Sequence, residues 1–415
     1  MINSQAIKRK ELSPSESHGK IMQNIFKITD FGADGSGRTL STDAITDAIK
    51  FGEGGTVIFP SGVFVSGSLE LRDDTIYRFE KGCVLRAAEL SHFAPIGYKH
   101  NEMNDVTSFL WATQKKNIMI CGEGVIDFGA SQYYNRSAAT LGGQMYEKIV
   151  ERMNQPIFFD HCENISVTGV KLTNSPCWTL TFSETDGVKV ENIVIENDRL
   201  IPNSDGIHLS ASRNVRIRDC RISGGDDSVA LTCITNKSGV NRNIMIENCE
   251  LSSNSAAVRI GHNAENVKLE HIKIHDSNRG IGIFTANNTK INNIEINDVK
   301  LETRPAAQCW WGNGDSIVIA ATQSESRIGN ITISDVSGSA GNGPITFGNG
   351  QNIDNISINN MDLSLDGTGN HMLDLRPYHC EPLENSFIPY IIKDSKNVFF
   401  KNVRIKYPGG YSDFS

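Results

Sequence analysis

An asparagine set just before a short run of alternating apolar and polar residues recurs along most of the chain. It is seen in ENISVTGVKL, ENIVIEN, RNVRIRDCRI, RNIMIENCEL, ENVKLEHIKI, NNIEINDVKL, GNITISDVS, DNISINNMDL and KNVFFKNVRI. The repeated residues are Asn164, Asn192, Asn214, Asn243, Asn266, Asn293, Asn330, Asn355 and Asn397. Successive members stand 22 to 42 residues apart, most of them by fewer than 30. Alternation puts every second side chain on one face of a strand, and a period of this size means stacked coils, each burying its Ile, Val or Leu on the next. Asn suits left-handed turn geometry and can pass side-chain hydrogen bonds from coil to coil. No segment of useful length with a 3.6-residue period accompanies the repeats, which disfavours a helical solenoid. The pattern predicts an all-β chain built as a parallel β-solenoid.

One segment breaks the pattern. STDAITDAIKFG reads as an amphipathic helix with Ala44, Ile45, Ala48 and Ile49 on one face, placed to cap the N-terminal coil and cover its open strand edges. Residues 1–24 read as a flexible tail and 25–415 as a single β-helical domain. A net charge of −8, from 48 acidic and 40 basic residues, argues against a nucleic-acid partner. The nine cysteines form no CxxC pair or His/Cys cluster, so they are expected to be reduced buried thiols, with no zinc site and no cofactor. The opening MINSQAIKRKELSPSESHGKIMQ has no apolar core of a secretory signal, and no stretch approaches about 18 apolar residues. The expectation is a cytoplasmic protein with no membrane partner, unless a leader was trimmed from this sequence.

The repeat also lets residues be assigned to columns along the solenoid. With Ile207 and Leu209 inward, the next coils supply Val229 and Leu231, Val258 and Ile260, Ile281 and Ile283, then Ile317 and Ile319. Between them His208, Ala230, Arg259, Gly282 and Val318 face outward. Two residues earlier lie Asp205, Asp227, Ala256, Arg279 and Asp315, and beside these Ser204, Asp226 and Ser255. This register sets Asp205 next to Asp227, about 4.8 Å away by strand spacing. Asp226 reaches the same place only if the backbone bends, for which Gly224, Gly225 and Gly206 supply freedom. Three carboxylates so close cannot all ionise cheaply, so at least one pKa rises. A protonated acid facing ionised bases suits cleavage of a glycosidic bond. A polar turn column or a surface calcium site is the bland alternative.

The motifs NSDG (Asn203–Gly206) and GGDD (Gly224–Asp227), at this separation, resemble those of the polygalacturonase-like glycoside hydrolases, glycoside hydrolase family 28. ITDFGADGSGRTLSTDAITDAI, GGTVIFPSGVFVSGSLELRDDTIYRFEKGCVLRA, CGEGVIDFGASQYY and NSPCWTLTF are similar to the family's other segments, so the resemblance spans nearly the whole chain. It implies a single-stranded right-handed parallel β-helix, the pectin-lyase-like solenoid. It also implies metal-free hydrolysis with inversion of a pectin-type oligo- or polysaccharide, Asp226 protonating the glycosidic oxygen while Asp205 and Asp227 activate water.

Two of the family's motifs are missing. Ser255 stands where a His of a GHG turn is expected, and Gly282, Ile283 and Phe284 replace an Arg-Ile-Lys triplet that holds the uronate carboxylate. Arg259, one coil earlier on the outward face, is the candidate replacement, with space left by Gly282 for its guanidinium. Phe284 becomes a candidate apolar wall for a sugar ring. His208 is a candidate substrate contact or tuner of Asp226. Trp310 and Trp311, in the Gly-rich CWWGNGDS loop, are candidates for stacking on a sugar. Arg279 is carried as a substrate-binding candidate, although its column predicts a salt bridge to Asp315 under the cleft. His262 is expected to face solvent in a turn. A polysaccharide lyase on the same scaffold, or a glycan-binding β-solenoid without catalysis, are the competing readings.

Overall fold

The computed structural model describes residues 24–97, 105–140, 145–233, 237–285, 288–306, 311–369, 372–375, 379–384 and 387–414. The tail expected over residues 1–24 lies outside them except for Asn24.

Parallel strands wind into two long sheets, one of 22 strands that wraps the flanks and one of 11 strands that forms the remaining face. In the 11-stranded sheet Leu180–Ser183 pairs with Ile207–Ser210, followed by Val229–Thr232, Ala256–Gly261, Arg279–Phe284 and Asp315–Ala320. The register is the one the alternation predicts. Ile207 pairs with Val229, His208 with Ala230 and Arg259 with Gly282. Inward Ile207, Val229, Val258, Ile281 and Ile317 stack as a continuous apolar column, almost wholly removed from water. Each such side chain contributes about 1.5–3 kcal/mol on full burial, which makes the stack the principal source of cohesion. The helix Thr42–Phe51 turns Ile45, Ala48 and Ile49 into the same core at the N-terminal end, with Ala44 half-buried.

The asparagines mark corners. Asn164 donates its amide to Asn117 at 3.1 Å, Asn243 to Asn214 at 3.0 Å, Asn266 to Asn243 at 3.1 Å and Asn293 to Asn266 at 2.6 Å. Their φ values of 55–58° are left-handed, the conformation Asn tolerates. Asn192 is the exception to the expected series. Its coil fills the ladder position with Gly187, whose φ is 75°, while Asn192 sits at a second corner beside Asp219 and Asn248. The eight described cysteines carry no disulfide, but Cys380 is exposed and Cys121 half-buried, so not all are core thiols.

Candidate active site

Asp205 precedes Ile207–Ser210, and Asp226 and Asp227 precede Val229–Thr232, so adjacent coils deliver all three carboxylates to the N-terminal edges of two neighbouring strands in the middle of the 11-stranded sheet. All are nearly enclosed, with exposures of 3%, 5% and 2%. The space around the flanking glycines adds a second reason for them to the freedom to bend. None of Gly206, Gly224 and Gly225 adopts a left-handed φ. Instead a Cβ on Gly225 would lie 2.2 Å from the Ile201 carbonyl oxygen, and one on Gly206 would lie 2.4 Å from that of Ser228. Only glycine lets the neighbouring backbones close in and bring the acids together.

Each carboxylate has a distinct environment. Asp226 accepts the Asn203 side-chain amide at 3.2 Å and the Asp227 N–H at 3.0 Å. Asp227 accepts the Ala256 N–H at 3.0 Å through one oxygen and faces Arg259 Nη1 at 3.5 Å through the other. Asp205 Oδ2 lies 3.1 Å from His208 Nδ1, while Oδ1 is buried and accepts no hydrogen bond among the described residues. Burial, and next the charge of Asp227, push the Asp205 carboxyl well above the usual carboxylate range. At least one raised carboxyl was expected, and it falls on Asp205, to which the resemblance assigns a base role.

Arg259 stands where its column predicts, with 16% of its side chain exposed, between Asp227 and the Trp311 ring at 5.6 Å. It pairs with an acid and also keeps access to solvent. It does not lean over Gly282, because the Phe284 ring fills that volume: a Cβ on Gly282 would meet Phe284 Cε2 at 2.3 Å. Trp311 is half-buried at the rim, and Trp310 lies outside the described residues.

Two substrate-binding candidates belong elsewhere. Phe284 points outward but is only 2% exposed, covered by Val318, Ala320, Ile345, Phe347, Leu373, Leu375 and Ile388. A segment arriving some ninety positions later closes over this part of the sheet, so Phe284 is packing and no sugar wall. Arg279 is likewise buried, donating to Asp315 at 3.1 Å and to the Asp374 carbonyl at 2.6 Å, with its guanidinium 4.9 Å from the Phe284 ring. It ties the covering segment down, as the expected salt bridge suggests, and does not reach a substrate. Phe284→Ala is therefore expected to cost about 3–5 kcal/mol of stability. Urea unfolding checks this; an unchanged midpoint would return Phe284 to the binding surface.

His208 is 2% exposed, so it is removed from a substrate in the cleft, and the acid it meets is Asp205, where Asp226 was the expected one. Its Nε2 lies 2.8 Å from Thr232 Oγ1, and the Trp178 indole stacks on it at 3.9 Å with 19° between planes. His262 is half-buried in place of solvent-facing: its Nδ1 accepts the Cys233 N–H at 3.3 Å, and burial, with Arg259, His208 and Lys237 nearby, brings its pKa to about 4. Sequence reasoning missed Trp178 and Arg152. Arg152 reaches in from a covering segment to donate to Asn203 Oδ1 at 2.6 Å and to the carbonyls of Pro176 and Pro202 at 3.2 and 2.7 Å, anchoring the loop that holds Asp205. Arg152 lies outside the repeat register and only the fold reveals it, whereas Trp178 falls in the Asp205 column one coil earlier, where the register could have found it. Among the described residues no cluster of His, Cys, Asp and Glu is arranged to hold a metal ion.

A family model described as "Glycosyl hydrolases family 28" matches residues 81–381. A probable polygalacturonase of Vitis vinifera is 27% identical over 285 residues, covering 62% of this chain and 56% of its own. The chain spans about half the length of the curated relatives it matches. An exopolygalacturonase from Thermotoga maritima superposes with a TM-score of 0.72 at 19% identity over 95% of both chains. The polygalacturonase of Erwinia carotovora does so at 0.63 and 21% identity, over 95% of this chain and all of its own. At such identities the likeness concerns architecture, and that architecture is the right-handed parallel β-helix.

Proposed function

Since the chain belongs to glycosyl hydrolases family 28, we propose that it hydrolyses the glycosidic bonds of pectin-type oligo- or polysaccharides by single displacement with inversion. The observation that carries this reading is the convergence of Asp205, Asp226 and Asp227 on one nearly enclosed site, in three different electrostatic settings. In the proposed step Asp226, protonated, gives its proton to the glycosidic oxygen as the C–O bond breaks. Water attacks the anomeric carbon from the opposite face, and its proton passes to the Asp205–Asp227 side. Inverting enzymes keep acid and base about 6.5–9.5 Å apart to admit that water. Because Asp205 must be ionised to act as base, its raised pKa places the acid limb of the rate profile above the ordinary carboxylate range.

Arg259 is proposed to recognise a uronate carboxylate. It is a partly exposed guanidinium beside the acids, where the usual pair of cations is replaced by Gly282 and Phe284. Arg259→Ala also strips Asp227 of its counter-ion, so all substrates should slow. The added loss on polygalacturonate relative to rhamnose-containing or neutral oligosaccharides is expected to be about 10–100-fold in kcat/KM, the value of a charge-assisted contact. Equal losses on all substrates would discard uronate recognition by Arg259.

The lyase alternative leaves an unsaturated product that absorbs in the ultraviolet. Following reducing ends and absorbance together on a panel of pectic oligosaccharides separates the two; reducing ends without absorbance is the expected result.

A further inference from the structure

We propose that His208, which the structure places against Asp205 and away from solvent, is a positioning residue that orients the Asp205 carboxylate for its work on the attacking water, with Thr232 fixing the imidazole tautomer. The proposal rests on the hydrolytic reading above and deepens it by naming the group that holds one carboxylate on the water side.

Three contacts define the arrangement. His208 is held in plane by the Trp178 indole at 3.9 Å, its Nε2 lies 2.8 Å from Thr232 Oγ1, and its Nδ1 lies 3.1 Å from Asp205 Oδ2. All four side chains are buried, so none of these groups exchanges its partner for bulk water. When the Thr232 hydroxyl donates to Nε2, the neutral imidazole carries its hydrogen on Nδ1 and donates it to Asp205 Oδ2. Oδ2 is then fixed, while Oδ1 has almost no surface that water can reach and no hydrogen-bond partner among the described residues, so Oδ2 is the oxygen left to meet a water. It has a second lone pair for that purpose beside the one that His208 occupies. Asp227 is held differently, its oxygens meeting the Ala256 N–H and the Arg259 guanidinium.

The assignment follows. Water donates to Asp205 Oδ2 in the resting complex. As it attacks the anomeric carbon its proton moves onto that oxygen, and no change of the His208 tautomer is needed. Asp226 loses its proton to the leaving oxygen in the same step, so the trio's proton count is unchanged. Asp227, beside Arg259, transfers no proton in this step.

Other titratable groups surround the pair. Asp226 and Asp227 face it from the next coil, Arg259 from the coil beyond, Arg152 from the covering segment, Cys177 from beside Trp178 and His262 from the turn after Ala256–Gly261. The His208 donor stabilises the ionised form of Asp205 against burial and Asp227, so its loss must raise the Asp205 pKa further.

The test compares His208→Ala with His208→Asn, whose side-chain amide can replace the Nδ1 donor. In His208→Ala, kcat on polygalacturonate is expected to fall about 10²-fold with little change in KM, and the acid limb of its pH profile should move to higher pH. His208→Asn should recover part of the rate and return the limb towards the wild-type position. A limb at the same pH in all three proteins overturns the proposal, even if the rates differ. Infrared titration of the buried carboxyl, without substrate, is a second readout. Its protonated band should persist to higher pH in His208→Ala, and an unshifted band overturns the proposal. Absence of hydrolysis by the wild-type protein would instead refute the hydrolytic reading, while the infrared arm still decides whether His208 tunes Asp205.

Discussion

Asp226→Asn is expected to lower kcat on a pectic substrate by about 10³-fold, within the 10²–10⁴ range of positioned proton donors, and to lower the melting temperature only by the loss of a single hydrogen bond. The structural argument for the second half is local. Asp226 accepts the Asn203 amide through Oδ2 and the Asp227 N–H through Oδ1, so the variant's amide oxygen keeps one of these contacts and its NH2 gives up the other, a loss of about 0.5–1.5 kcal/mol. What the amide cannot do is supply a proton to an alkoxide-like leaving oxygen. The loss should therefore shrink on an aryl glycoside whose phenolate departs without protonation. That dependence separates a missing acid from a misfolded site. A full 10³-fold loss on both leaving groups would place the proton donor elsewhere.

Asp205→Asn should behave differently. Its rate should also fall by about 10³-fold, because the proposed base is removed, yet the folded protein should become more stable near neutral pH. The sign follows from linkage. Burial and the Asp227 charge raise the native pKa of Asp205 above its unfolded value. Between those two values the native state binds more protons than the unfolded state, so stability falls as pH rises through the window. The amide carries no charge and escapes this loss. A gain of about 0.5–2 kcal/mol at pH 7, absent below the ordinary carboxylate range, is the expected size for relieving a functional strain. Chemical denaturation of both proteins at two pH values measures it. A variant less stable than wild type at pH 7 would mean that Asp205 is held ionised by partners in the native state, contrary to its environment.

These contrasts show what the linear sequence could convey. Strand parity fixed the inward stack from Ile207 to Ile317, and with it the neighbourhood of Asp205, Asp227 and Arg259, because a two-residue period and a regular coil length leave little freedom in register. Parity says which way Phe284 points, but not what covers it; Leu373, Leu375 and Ile388 arrive from far along the chain and turn an outward face into a second core. The same limit hid Arg152 beside Asn203, on a segment where no period constrains it, whereas Trp178, stacked on His208, falls in the Asp205 column one coil earlier and was open to the same register. Asn192 was placed on the wrong corner because Gly187 fills the ladder position in its coil without the asparagine signature. The glycines beside the acids are legible in the sequence as points of freedom, while the close backbone approach they permit is seen only in the fold.

The decisive observation is the configuration of the first product. Proton NMR of the newly formed reducing end, recorded before mutarotation, should show the anomer opposite to that of the cleaved linkage, as a single attack by water held at Asp205 requires. Retention of configuration would demand a covalent intermediate on one carboxylate, and an unsaturated sugar would demand elimination; either result contradicts a site in which one acid donates a proton while its neighbours direct water.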